Sequence, residues 1–149
     1  MSDQLAEALN TVVSAASGRL LAIDPVEAGQ KPSADRWSRK EILGHLIDSA
    51  ANNHQRFVRA LEASELHFPG YAQGAWVAAQ SYGDREWHAL VDLWTSYNLH
   101  IVHVVARIPP SKLSASCAIG ADAPVTLGTL IQDYVSHLEH HLKQIEHAR

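Results

Sequence analysis

Ten histidines in a chain of 149 residues are the residues most able to do chemistry, and four of them (His137, His140, His141 and His147) crowd the C-terminal end. Imidazole is the usual acid or base near neutral pH and the commonest side-chain metal ligand, so the direction each ring faces decides its use. His137 and His141 are four apart, and one helical turn would bring both rings onto one ion. The spacing alone does not separate that pair from His137 and His140. On a helical wheel measured from Leu138, His141 lies about 60° away and His137 about 100° away on the same side. His140 lies about 160° away, toward solvent. An earlier amphipathic segment places His45 about 100° and Ser49 about 60° from Leu46, and Asn52 and Arg56 continue that polar flank. Two such seams facing each other make a cleft with a dry floor. There His45, His137 and His141 would offer three neutral nitrogens and leave a coordination position open, which is the catalytic rather than the structural pattern. Zinc, nickel, iron and copper suit three histidines comparably well.

A histidine pair at this spacing is also a common surface feature, so His45 on a separate seam carries much of the argument. His100 and His103 are the internal rivals. Measured from Ile101 they fall about 100° and 160° off the apolar stripe and read as solvated. His54, His67, His88 and His147 have no partner at ligand spacing and read as surface residues. Cys117 has no histidine or lysine beside it in sequence and reads as a plain small residue.

Four amphipathic helices would position these groups. Leu5, Leu9, Val12, Val13, Ala16, Leu20 and Leu21 recur at three- and four-residue spacing over residues 3–22. Ser38-Arg39-Lys40-Glu41 is a capping box that opens a second helix running to about Ala63. Asp84 is the expected N-cap of a third helix lined by Trp87, Leu90, Trp94, Tyr97, Ile101, Val104 and Ile108, with Trp87 and Trp94 at core spacing. Thr126 is the expected N-cap of a fourth, burying Leu127, Ile131, Tyr134, Leu138, Leu142 and Ile145. Long loops join helices two to three and three to four. No segment alternates convincingly as a strand, although the loop near Cys117 has room for a short extended piece. The expected fold is all-α, one antiparallel four-helix bundle over residues 1–149.

Composition narrows the function. Twelve Lys and Arg against sixteen Asp and Glu give a net charge of −4 with no basic cluster, so the footprint of nucleic-acid binding is missing. A single cysteine excludes an intramolecular disulfide. No signal peptide or bilayer-spanning run is apparent, and the expected setting is cytoplasmic.

Trp37-Ser38-x-x-Glu41-Ile42-x-Gly44-His45-Leu46-x-Asp48 resembles the opening motif of DinB-like proteins. Tyr134-x-x-His137-x-x-His140-His141-x-x-Gln144-Ile145 resembles that family's C-terminal histidine motif. Between them Tyr71, Trp76, Tyr82, Trp87, Leu90, Trp94 and Asn98 sit where the YfiT-like branch has similar residues. The resemblance implies a four-helix bundle holding one divalent ion (zinc, nickel or iron among them) on His45, His137 and His141. It also implies either a transferase using a low-molecular-weight thiol or a metal-dependent hydrolase, and by analogy a homodimer. Many relatives carry a histidine where this chain has Gln144, a change beside the ligands rather than at one.

The leading expectation is a metal-dependent enzyme transferring a low-molecular-weight thiol to a small electrophile. Ser49, Asn52, Asn53, Arg56 and Tyr134 are the candidates to bind the substrate, with Tyr134 as a hydrogen-bond donor. Hydrolysis would need a general base. Glu139 points away from the histidine seam and Asp48 is expected on the solvent side of its helix, which disfavours that reading. A non-catalytic metal-binding or interaction module is the third possibility. Trp76, in a loop, is the expected cleft wall or dimer contact.

Overall fold

Apolar side chains at helical spacing build four long helices: α1 (Ser2–Leu21), α3 (Arg39–Glu62), α5 (Trp87–Ala106) and α6 (Leu127–His147). The molecule is described by a computed structural model covering residues 1–147. A four-residue helix, α2 (Pro25–Ala28), capped by the Asp24 carboxylate, follows α1. α1 packs on α5 and α6, and α3 packs on the same two helices. The ring order is therefore α1, α5, α3, α6, so α1 and α3, neighbours in sequence among the long helices, lie across the bundle from each other. The shared core includes Leu9, Val13, Leu20, Leu43, Leu46, Phe57, Trp87, Trp94, Ile131 and Leu138, all essentially inaccessible to water. Burying a side chain of this kind stabilises the fold by roughly 1.5–3 kcal/mol before chain entropy is set against it.

The capping box forms as expected. Ser38 Oγ accepts from Glu41 N at 3.2 Å, and Ser38 N donates to Glu41 Oε1 at 3.0 Å. Thr126 Oγ1 accepts from Thr129 N at 3.1 Å and starts α6. Arg39 Nε, in the first turn of α3, donates to Ile145 O near the end of α6 at 2.8 Å, tying together the two helices that carry the histidines.

The third long helix starts later than expected. Its N-cap is Glu86, and Asp84 belongs to a 3₁₀ turn, Tyr82–Asp84. The long loops also contain regular structure. The first holds strand β1 (Glu65–Phe68) and helix α4 (Gln73–Gln80); the second holds β2 (Ser116–Ile119) and β3 (Val125–Thr126). β1 pairs in parallel with β2, Leu66 opposite Cys117, and β2 pairs antiparallel with β3. This small sheet fastens the two loops together at one end of the bundle. Gly120 ends β2 at φ +57°, a conformation that favours glycine, and its N–H donates to Phe68 O at 2.8 Å. No helix among the described residues is long and apolar enough to cross a membrane.

Candidate metal centre

α3 delivers His45 and α6 delivers His137 and His141 to one point. His45 Nε2 lies 3.3 Å from His137 Nε2, and His141 Nε2 lies 3.1 Å from His137 Nε2. All three ligand atoms fall within 4.8 Å of one another, and His45 is wholly buried while the other two are half-buried. Two nitrogens bound at 2.0–2.1 Å and at a tetrahedral angle stand roughly 3.3 Å apart, so the observed spacing fits a shared transition-metal ion. His140 is exposed, as the wheel indicated, and so are His100 and His103.

The electrostatics suit the same use. Burial first, then the neighbouring imidazoles, hold His45 and His137 down at about 4. Burial also lowers His141, against a hydrogen bond to Gln144 that raises it. The rings are therefore neutral at physiological pH. His141 Nδ1 lies 2.7 Å from Gln144 Oε1, an acceptor that places the proton on Nδ1 and frees the Nε2 lone pair. Gln144 thus orients a candidate ligand. His45 Nδ1 is buried without a hydrogen-bond partner, and the His45 and Trp37 ring centroids are 5.3 Å apart. A buried ring nitrogen left without a partner costs about 1–3 kcal/mol.

A cleft of about 350 Å³ opens beside this cluster, and His137, Ser49, Asn53, Arg56 and Tyr134 line it. Four of the five expected substrate residues are thus brought together with a histidine. Asn52 is the exception: it is buried outside the cleft lining and its amide donates to Asp48 O at 2.9 Å. Tyr134 presents its ring, but its hydroxyl donates to Asn98 Oδ1 at 2.5 Å, so the expected hydrogen bond to a substrate is already committed elsewhere. Asn53 Nδ2 donates to Ser49 O at 2.8 Å, which leaves its carbonyl oxygen for other partners. Tyr71, Gly70 and Ile119 complete the wall from the loops that the sheet joins. Trp76 packs on Tyr71, ring centroids 5.0 Å apart, and so stands one layer behind that wall.

Two residues differ from their expected placement, and a third had none. Asp48 is only 2% exposed, because α4 and the 3₁₀ turn after it fold over α3. Tyr82 OH donates to Asp48 Oδ1 at 2.6 Å, and Gln80 Nε2 donates to the same oxygen at 2.8 Å. Ser81, at φ 49° and ψ 50°, turns the chain so that residues on either side of it reach one carboxylate. His54, expected on the surface, is half-buried with Nδ1 2.9 Å from Tyr97 OH. Asp133 was not singled out by sequence. It lies exposed in the cleft wall one helical turn before His137, and the i, i+4 spacing was the signal that could have found it.

Burial raises the Asp48 carboxyl above its ordinary value, against the two hydrogen bonds that lower it. A raised folded value means that Asp48 contributes stability below its unfolded pKa and loses it as pH rises through the folded one. Asp48→Asn keeps the Oδ1 acceptor and never ionises. Its stability relative to wild type should therefore improve as pH is raised from 4 to 7, ending within about 1 kcal/mol of wild type. Asp48→Ala should lose about 1 kcal/mol at pH 7, since Tyr82 OH gives up its bond to Asp48 but keeps Gln80 Oε1 as an acceptor at 3.0 Å. Thermal melts across that range check both, and a flat Asp48→Asn difference would contradict the assignment.

The fold is a four-helix bundle in which two helices bring three histidines close enough to share one ion beside an open cleft. The chain belongs to the DinB superfamily, whose family model matches residues 8–145. A protein of Oceanobacillus iheyensis named "Putative metal-dependent hydrolase" is 24% identical over 112 residues, 75% of this chain. The match takes in 64% of that relative's own length. Among solved structures the chain is similar to YfiT from Bacillus subtilis, described as "a probable metal-dependent hydrolase with an unusual four-helix bundle topology". That likeness has a TM-score of 0.82 at 17% identity, over 97% of this chain and 83% of YfiT, and it establishes the fold.

Proposed function

We propose that this chain is a metal-dependent enzyme that delivers a small nucleophile, a low-molecular-weight thiol, to an electrophile held in the cleft. The observation that carries the reading is the convergence of three neutral imidazole nitrogens beside a cleft large enough for a small molecule, with His137 in the cleft wall. A divalent ion bound there supplies the Lewis acidity that makes a thiol or a water nucleophilic at neutral pH. Ser49 and Asn53 offer hydrogen-bonding groups along the floor, and the Tyr134 ring offers an apolar surface. In the transfer step a sulfur–carbon bond forms, the leaving group departs with its electron pair, and the thiol proton passes through the exposed Asp133 carboxylate to solvent.

Asp133 also favours a second reading, hydrolysis, in which it takes the proton from water. The names of the two relatives agree with that chemistry. One variant separates the readings. Water is so weak an acid that hydrolysis depends on a general base worth 10²–10⁴-fold, whereas a thiol ionises readily. Asp133→Asn should therefore lower ester or amide hydrolysis by roughly a hundredfold or more. Thiol conjugation, followed as consumption of a chromogenic electrophile by bacillithiol or mycothiol, should change less than about tenfold. A metal-loaded wild type inactive in both assays would leave the non-catalytic binding module in possession.

A further inference from the structure

Arg56 lines the cleft without an ion-pair partner among the described residues. Arg56, on α3, is 9% exposed, and its Nε is buried without a hydrogen-bond partner. The ion pairs among the described residues are Arg19–Glu146, Lys31–Glu41 and His67–Glu65, and none involves Arg56. Its guanidinium carbon lies 5.5 Å from the centre of the Phe68 ring, so an apolar face supports it on one side. It shares the cleft lining with His137, Ser49, Asn53 and Tyr71. Burying an unpaired charge is costly, and a chain that keeps one beside an open cleft keeps it for a ligand that brings the opposite charge.

We infer that Arg56 is the recognition point for a carboxylate on the substrate, so that the cleft takes a small carboxylic acid whose remaining atoms extend toward the histidine cluster. The planar guanidinium fork matches a carboxylate in a two-point contact, which a lysine could not reproduce. Two acidic side chains also line the cleft, Asp122 and Asp133, and both are exposed while Arg56 is buried. Negative charge at the mouth with a single cation inside selects against multiply charged anions such as phosphate. It admits a monocarboxylate, or one carrying an amine at its outer end. The inference rests on the cleft being the substrate site, but not on a metal occupying the histidines.

The experiment therefore uses the full chain freed of metal, repeated with zinc restored. The ¹⁵N-labelled protein is titrated with hexanoate and with hexanamide, its neutral isostere, while the Arg56 Nε–H resonance is followed. Hexanoate is expected to shift that resonance saturably, and hexanamide to bind at least tenfold more weakly. Arg56→Met should lose hexanoate binding, read on the backbone amides of Ser49 and Asn53, with its circular dichroism unchanged. Arg56→Lys, which keeps the charge but not the fork, should bind at least several-fold more weakly than wild type. Equal binding of acid and amide, undiminished binding to Arg56→Met, or displacement by an equal concentration of inorganic phosphate would overturn the inference. Success in the metal-free chain alongside failure to take up metal would sink the metalloenzyme reading and leave this one standing.

Discussion

A His137→Ala chain, prepared without a polyhistidine tag, is expected to hold less than about a tenth of the metal that the wild type retains after dialysis against zinc or nickel. The wild type should hold about one equivalent by plasma mass spectrometry. Partners that only orient a ligand are worth 10–100-fold in metal affinity, so removing one of three ligands should cost more than about a hundredfold. His137 is the informative position because its nitrogen is the one close to both others, at 3.3 Å from His45 and 3.1 Å from His141. It is half-buried, so its truncation leaves no sealed cavity, whereas His45→Ala would combine ligand loss with a hole in the interior. His140→Ala, beside it but exposed, is the control and should keep the full equivalent. Gln144→Ala should fall between, weakening affinity by about 10–100-fold through the unanchored His141 ring. If His137→Ala retains its metal while His140→Ala loses it, the site has been placed on the wrong pair.

The second large effect comes from the smallest side chain in the motif. A methyl group at Gly44 would stand inside the van der Waals envelope of the Tyr82 ring, against Cδ2, Cγ and Cε2. Tyr82 is itself buried, and its hydroxyl is fixed to Asp48 Oδ1. The ring cannot retreat without breaking that hydrogen bond and lifting the 3₁₀ turn from α3. Overpacking alone costs about 1–3 kcal/mol, and losing one of the two hydrogen bonds that hold the buried Asp48 carboxylate adds about 1 kcal/mol. Gly44→Ala should therefore destabilise the chain by roughly 3 kcal/mol or more, although alanine is the better helix former. Denaturant unfolding measures it, and a loss below about 1 kcal/mol would mean that the ring has room to move. Gly44→Ala combined with Tyr82→Ala should recover part of the loss, since the clash then has no second partner.

The long helices were legible because their signals are local and repeated. The Leu5–Leu20 stripe, the Ser38–Glu41 box and the Leu127–Ile145 stripe each state a helix several times over. The approach of His45 to His137 followed from placing both beside apolar stripes, even though those residues lie on separate helices. What could not be read was whatever depends on the excursions between helices. Glu65–Phe68 is too short to show a sustained alternation, and its partner is a distant strand rather than a hairpin neighbour. A wheel knows only its own helix and so turns Asp48 toward solvent, whereas Gln80 and Tyr82 cover it from α4 and the 3₁₀ turn that follows. The same limit makes Tyr134 read as a free donor, since nothing in its own helix announces Asn98. Asp133 escaped notice because one exposed carboxylate on a helix is ordinary until the cleft beside it is seen.

The lone thiol gives the small sheet a second significance. Cys117 is wholly buried in β2, opposite Leu66, and burial raises its pKa, so in the closed molecule it is shielded from alkylating reagents. The β1–β2 pairing joins segments remote in sequence, and such non-local contacts are among those that local opening can release without unfolding the bundle. The same two strands carry the chain into the cleft wall at Gly70 and Ile119. Cysteine labelling in the native state therefore acts as a clock on the breathing of the cleft's outer wall, with a reporter atom that the protein already carries and needs no engineering to install.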